Sequence, residues 1–288
     1  MTDHLSQDWL TPAIAFAVSV CGSLLGLAFA ARARRARGAA LWQWLVLAAL
    51  SLGGMAVWSM HFIAMMGFRV PGVSIRYDAF LTLVSGVTAV VVMGAALTMT
   101  IRRRTLPWLL ASGVLAAAGV VSMHYTGMAS MNMHGAMHHD PFYVTAACAI
   151  ALVASTVAMW FSARLRGAPA IVAGALVMAV AVTSVHYTAM MGVHVLHPEA
   201  DRAGPPEGST ASDLLLPVIV GLFVLLLVCS LFLMLGEDEE RVDYSRSGAD
   251  APRPRASAPT AAQDYTPRHG VRPAPPAPTD DVWRRPRR

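Results

Sequence analysis

Residues 41–66 read LWQWLVLAALSLGGMAVWSMHFIAMM, a run without a single Asp, Glu, Lys or Arg. About 20 such residues in a helix cross the roughly 30 Å hydrocarbon core of a bilayer. The segment is therefore long enough to span a membrane. It carries one ionisable residue, His61, close to its carboxyl end.

The rest of the chain repeats this pattern. Apolar runs of comparable length cover about residues 12–30, 41–66, 79–101, 106–130, 142–163, 169–193 and 214–235. Hydrophobic residues make up 56% of the chain and charged residues 14%, whereas soluble domains average roughly 45 to 50% and about 25%. We predict an all-α membrane bundle of about seven transmembrane helices.

Arginines are concentrated in the loops on one side of this bundle. Every basic residue is Arg, and the loops after the first, third and fifth runs contain Arg32, Arg34, Arg35, Arg37, Arg102, Arg103, Arg104, Arg164 and Arg166. The opposite loops contain only Arg69, Arg76 and Arg202. Cytoplasmic loops are enriched in basic residues, so we predict a plasma (inner) membrane protein with its N-terminus outside and its C-terminus in the cytoplasm.

Composition changes sharply after the seventh run. Residues 9–236 form the predicted membrane domain, and residues 237–288 are rich in Pro, Ala and Arg. Such a segment cannot bury enough apolar surface to offset its ordering entropy, so we predict a disordered cytoplasmic tail. The net charge of +5 comes largely from the arginine loops and this tail, and it does not indicate nucleic-acid binding.

A short element recurs at one end of alternate runs. Its three copies are SMHFIAM at 59–65, SMHYTGM at 122–128 and SVHYTAM at 184–190. The histidines are spaced 63 and 62 residues apart, so one period spans two helices and predicts three stacked helical hairpins plus a seventh span. At about 1.5 Å per residue, each histidine lies roughly 26 to 30 Å from the inner end of its helix, at the outer boundary of the hydrocarbon.

These copies supply a donor set suited to a metal. A Met follows each His at i+4 on the same helix face, giving the pairs His61 and Met65, His124 and Met128, and His186 and Met190. Imidazole suits several transition metals and thioether sulfur is soft, so the combination favours copper over zinc. The small residues Ala64, Gly127 and Ala189 leave room for a neighbouring helix.

The loop after the second copy adds further donors. It contains Met131, Met133, His134, Met137, His138 and His139. This tract could load or sequester metal from outside, or form only a weak, solvated site. The blander interpretation of the whole pattern is a structural bundle, with histidines that tie helices together and methionines that fill space.

The second copy contains Met123-His124-Tyr125-Thr126, which reads MHYT. With three copies of this element, the chain resembles the MHYT domain family of bacterial integral-membrane sensors. The resemblance covers about residues 9 to 236. It implies copper binding at His61, His124 and His186, then at Met65, Met128 and Met190, with Met60 and Met123 as further candidates. It also implies sensing of oxygen, carbon monoxide or nitric oxide, and output through cytoplasmic cyclase, phosphodiesterase or kinase domains.

Several functional hypotheses remain at this stage. The first is a copper-containing sensor in the lipid bilayer that passes its signal to a separate cytoplasmic partner. Copper transport or handling and haem ligation by two histidines are alternatives. The spans contain no paired carboxylates, no nucleophile with an orienting base and no phosphate-binding glycine loop, so we do not expect an enzyme.

Overall fold

The computed structural model describes residues 9–70, 73–196 and 206–249. Seven helices in this part of the chain are long and apolar enough to cross a membrane, which confirms the predicted helical bundle. In chain order, spans one to seven are Leu10–Ala33, Gly38–Met66, Ala79–Arg103, Leu106–Ala129, Pro141–Arg164, Ala168–Met191 and Ala211–Met234.

Local sequence explains where several spans begin. Spans three and five each start after an aspartate whose side chain accepts a backbone hydrogen bond, Asp78 from Leu81 at 3.0 Å and Asp140 from Phe142 at 2.8 Å. Spans four, five and six have Pro in the first two helical positions, where its missing N–H costs nothing. These caps fix the entry of the chain into each helix.

Span two is the central helix of the bundle. Inside the protein, 78% of its apolar stretch is buried, against 28 to 44% for spans one and three to six and 6% for span seven. It is α-helical over Gly38–Ala49 and Met60–Met66, and π-helical over Leu50–Ser59 between them. A π-helix has more residues per turn than an α-helix, so this segment rotates the motif that follows it.

Neighbouring helices reach span two at positions without a side chain. A Cβ atom on Gly53 would lie 2.5 Å from the carbonyl oxygen of Ala89 in span three. Only glycine permits this backbone contact. Small residues are the usual means by which membrane helices pack closely.

The arginine end of the bundle is the end where loops 34–37, 104–105 and 165–167 lie. The guanidinium of Arg34 donates to the carbonyl oxygens of Ser162 and Leu165, and Arg104 donates to the carbonyl oxygen of Arg34 at 2.8 Å. The 34–37 loop is therefore linked to the other two loops by hydrogen bonds to backbone carbonyls. These carbonyls lie at helix ends, where they have no partner within the helix.

Span seven lies at the periphery. Arg32 donates to the carbonyl oxygen of Phe232 at 3.2 Å, and the Ser51 hydroxyl lies 3.8 Å from the Cys229 thiol. Its helix runs over Ala211–Ala249 and so includes the first residues of the predicted tail. The rest of the predicted tail and Arg202 lie outside the described residues.

The histidine end, opposite the arginine end, is covered by two small antiparallel sheets. Strand β1 (Ile75–Tyr77) pairs with β2 (Met131–Met133), and β3 (Ala136–His139) pairs with β4 (Val193–Leu196). They join the loops after spans two, four and six. The all-α prediction omitted these strands, because three or four residues are too few to show an alternating pattern.

Candidate metal centre

The three motif histidines come together at the histidine end of the bundle. His61, His124 and His186 are each 3% exposed, and their candidate ligand atoms all lie within 4.8 Å of one another. His61 occupies the middle: its Nδ1 atom is 3.0 Å from Nδ1 of His186 and 3.2 Å from Nδ1 of His124. The central position of span two places His61 between the other two helices. We call these three residues the histidine cluster.

Hydrogen bonding between the rings does not account for both short contacts. A ring nitrogen carries either one hydrogen or one lone pair, so Nδ1 of His61 makes one good hydrogen bond. Nε2 of His61 and Nε2 of His124 are buried and have no partner among the described residues. Nitrogens bound to one metal at about 2.0 to 2.1 Å, at tetrahedral angles, lie about 3.3 Å apart. The observed spacing fits a shared metal.

The small residue of the second motif copy makes room for the central imidazole. A Cβ atom on Gly127 would lie 2.5 Å from Nε2 of His61. The equivalent residues of the other copies are Ala64 and Ala189. Close approach at a small residue, as the sequence predicts, is therefore observed at Gly127, where it lets span four pack against the His61 ring.

The aromatic residue of each motif has a different environment. Tyr125 packs edge-on against His124, and Tyr187 packs edge-on against His186, both with ring centroids 5.0 Å apart. Phe62, the equivalent residue of the first copy, stacks on Trp58 instead, at 6.0 Å. Phe62 therefore belongs to the apolar packing of the histidine end.

The methionines at i+4 gather beside the histidine cluster. Met65 and Met128 are 1% exposed and share one apolar cluster with Phe62 and Tyr77, and Met190 packs against it. Met60 and Met123 are also buried, but Met60 packs beside Ala15 and Met123 belongs to the main core. The structure thus separates two sets of methionines, and thioether ligation stays a prediction for both.

The other loop histidines occupy three different positions. His134 is partly buried, His138 is exposed and His139 packs against the Tyr125 ring at 5.5 Å. Burial, and then the neighbouring His138, lower the pKa of His139. Sequence analysis missed His194, which lies directly opposite His138 in the β3–β4 pair. A strand register between distant loops leaves no local signal in the sequence.

Comparison with known families gives a match over two stretches of the chain. The family described as MHYT, bacterial signalling protein N terminal repeat, matches residues 54–113 and 118–175. Each stretch begins in an even-numbered span a few residues before its histidine. The chain contains two MHYT repeats. The third MHYT motif, around His186, lies beyond the matched stretches, and the fold brings it beside the other two.

Three curated proteins are similar to this MHYT chain. Two are from Pseudomonas aeruginosa: the bifunctional diguanylate cyclase/cyclic di-GMP phosphodiesterase MucR, 36% identical over 192 residues, and the cyclic di-GMP phosphodiesterase NbdA, 33% identical over 180. An uncharacterized signaling protein of Caulobacter vibrioides is 28% identical over 194 residues. The alignments cover 64%, 60% and 67% of this chain, respectively.

The same alignments cover only 28%, 22% and 24% of those relatives. The chain therefore spans about a quarter of the length of the curated relatives it matches. No solved structure matches it. The family and the seven helices establish a multi-pass membrane protein of a signalling family.

Tyr77 ties the strands of the histidine end to span two. Its hydroxyl donates to the carbonyl oxygen of Met65 at 3.3 Å, and burial raises its pKa to about 12. We expect Tyr77→Phe to lower the free energy of unfolding by about 1 kcal/mol at pH 8, since one buried hydrogen bond is lost.

Alkaline pH should affect the wild type and Tyr77→Phe differently. An unfolded tyrosine titrates near 10, so the folded protein holds its proton more tightly. This contribution to stability is complete below about pH 10 and is lost as pH rises through the folded pKa near 12. Thermal unfolding in detergent between pH 8 and pH 12 measures it, and equal alkaline losses in the two proteins would contradict it.

Proposed function

We propose that this MHYT protein is a membrane sensor whose histidine cluster binds one copper ion. The observation that carries the proposal is the convergence of Nδ1 of His61, His124 and His186 from three separate spans. Among the described residues, this cluster contains no carboxylate, which argues against magnesium or calcium. The neighbouring cluster of buried methionines supplies soft thioether sulfur, which favours copper over zinc.

The protein side chains would hold the ion and orient its ligands. The three imidazoles bind, and Tyr125 and Tyr187 support two of them edge-on. Bound copper would supply a centre that changes oxidation state and has a position left for a small ligand. The extreme burial of the three imidazoles excludes bulk water from their surroundings.

An apolar cavity supports a diatomic gas as the signal. It has a volume of about 30 Å³ and extends to Val185, the residue before His186. Other lining residues include Leu52, Val57, Met93, Val120 and Met178. Such a lining stays dry and accepts small apolar molecules. Oxygen, carbon monoxide and nitric oxide have the required size and polarity, in keeping with the family resemblance.

Signal transmission would use the central position of span two. A change in the preferred geometry at His61 would act on the one helix that the others surround. Packed helices respond by shifting between discrete arrangements. We place the arginine end in the cytoplasm, where a separate signalling partner would read that shift.

The surroundings of the histidine cluster favour a sensor over the alternatives. A copper transporter needs donors along a path, whereas the cavity next to the cluster is lined mainly by apolar side chains. Haem ligation requires space for a porphyrin between two histidines. The three ring centroids are only 4.8, 5.0 and 5.4 Å apart, which leaves no such space.

The decisive experiment is metal analysis of the purified full chain from copper-supplemented cells. We expect about one copper per wild-type chain and essentially none in a triple His61→Ala, His124→Ala and His186→Ala variant, which lacks every imidazole of the cluster. Met159→Leu is the matched control, because Met159 is a buried methionine near the arginine end of span five and is not a candidate ligand. Circular dichroism and elution volume would check that each variant folds.

Two results would overturn the proposal. The copper site is refuted if wild-type protein lacks copper after purification under both oxidising and reducing conditions. The sensory part is refuted if copper-loaded protein shows no spectral change on exposure to carbon monoxide, nitric oxide or oxygen. A Soret band in the wild type would instead establish haem.

A further inference from the structure

The β3–β4 pair places two histidines side by side on the surface of the histidine end. His138 and His194 are register partners in this antiparallel pair, and both side chains are exposed. The flanking residues Met137, His139 and Val195 are less exposed, as expected for side chains on the opposite face of the strands. The two imidazoles therefore project outward from the same face.

Directly opposite residues in an antiparallel pair have Cβ atoms about 4.5 to 5.5 Å apart. Two imidazoles at that separation can turn their nitrogens toward one cation without moving the backbone. Imidazole nitrogen suits the borderline divalent ions Cu²⁺, Ni²⁺ and Zn²⁺. Water would complete the coordination of an ion at this exposed position.

The backbone beneath this pair is held by two helices at the end next to His138 and His194. The Asp140 amide, just after β3, donates to the Gly192 carbonyl, just before β4, at 2.8 Å. Asp140 also caps span five, and Gly192 caps the end of span six. These contacts order the backbone at this end of the strands before an ion binds, which lowers the entropic cost of binding.

We propose that His138 and His194 form a second metal site, separate from the histidine cluster, that binds one divalent transition-metal ion at the surface. The two sites differ in accessibility, since the cluster histidines are 3% exposed and the surface pair is open to solvent. The surface pair is therefore a rapidly exchanging site. It does not depend on whether the buried cluster binds copper.

Isothermal titration of the detergent-solubilised full chain with Ni²⁺ tests this site. We expect one exchangeable site in the wild type. His138→Ala and His194→Ala should each weaken its affinity by at least about tenfold, the lower end of what even an outer-shell change costs a metal site. Both residues are exposed on short strands, so neither variant should unfold the protein.

His134→Ala is the matched control, because it removes an imidazole from the same loop but not from the strand pair. It should bind Ni²⁺ like the wild type. Affinity unchanged in either His138→Ala or His194→Ala would overturn the proposal. Equal weakening in His134→Ala would also count against it, since binding would then belong to the loop as a whole. Failure of copper binding at the buried cluster would leave these results unaffected.

Discussion

Replacing Gly127 with alanine is expected to displace the His61 imidazole and disrupt the histidine cluster. The added methyl carbon would lie 2.5 Å from Nε2 of His61, about 1 Å inside ordinary contact distance. The ring cannot retreat freely, because it is buried between the His124 and His186 rings. Overpacking of this kind costs about 1 to 3 kcal/mol. We expect copper affinity to fall by more than about tenfold, as in other metal sites with disturbed ligand orientation.

Gly221→Ala is the matched control for this substitution. Gly221 is a helical glycine in span seven, and a Cβ atom there would have no neighbour within 4 Å among the residues that the structure describes. A second test combines Gly127→Ala with His61→Ala, which removes the clashing ring. Thermal unfolding of the four proteins of this cycle should show that Gly127→Ala destabilises only when His61 is present. Equal costs in both backgrounds would show that the contact with His61 is not the cause.

The second large effect is expected at the arginine end. Arg34→Ala removes the guanidinium that donates to the Ser162 and Leu165 carbonyl oxygens. Burial is the main cause that lowers the pKa of Arg34, and three nearby arginines add to it. The carbonyl oxygens offset this cost of holding a charge there. Leaving them unpaired should reduce the free energy of unfolding by about 1.5 to 3 kcal/mol, the range for hydrogen bonds to charged groups.

Arg37→Ala is the control that separates loss of the carbonyl contacts from loss of positive charge in the loop. Arg37 lies exposed in the same loop, so its removal costs the same positive charge without breaking the bridge between loops. We expect a change within about 0.5 kcal/mol, as for most surface substitutions. Unfolding in detergent measures both variants. Similar losses in Arg34→Ala and Arg37→Ala would indicate that loop charge, and not the carbonyl contacts, stabilises this end.

Several features of the protein could be predicted from local sequence. The predicted runs 41–66 and 79–101 closely match spans Gly38–Met66 and Ala79–Arg103, because apolar length along a helix is a local property. The common depth of His61, His124 and His186 also follows from rise per residue and equal spacing. Their convergence is observed, and metal binding by them stays a prediction.

Other features arise only from packing between distant segments. The sequence does not reveal that span two is central, because the lateral order of the helices depends on which of them pack against each other at small residues. The contact between Gly127 and His61, and the pairing of His138 with His194, likewise join residues far apart in the chain.

The amino-acid sequence by itself determined the number of spans, the depth of each histidine and the kind of donor atom available. Tertiary structure alone decided which histidine lies in the middle, which glycine must stay small and which surface histidines face each other. The physical reason is that apolar length and helical rise accumulate along the chain. Rotation, lateral order and strand register are instead set by contacts between segments that the chain keeps far apart.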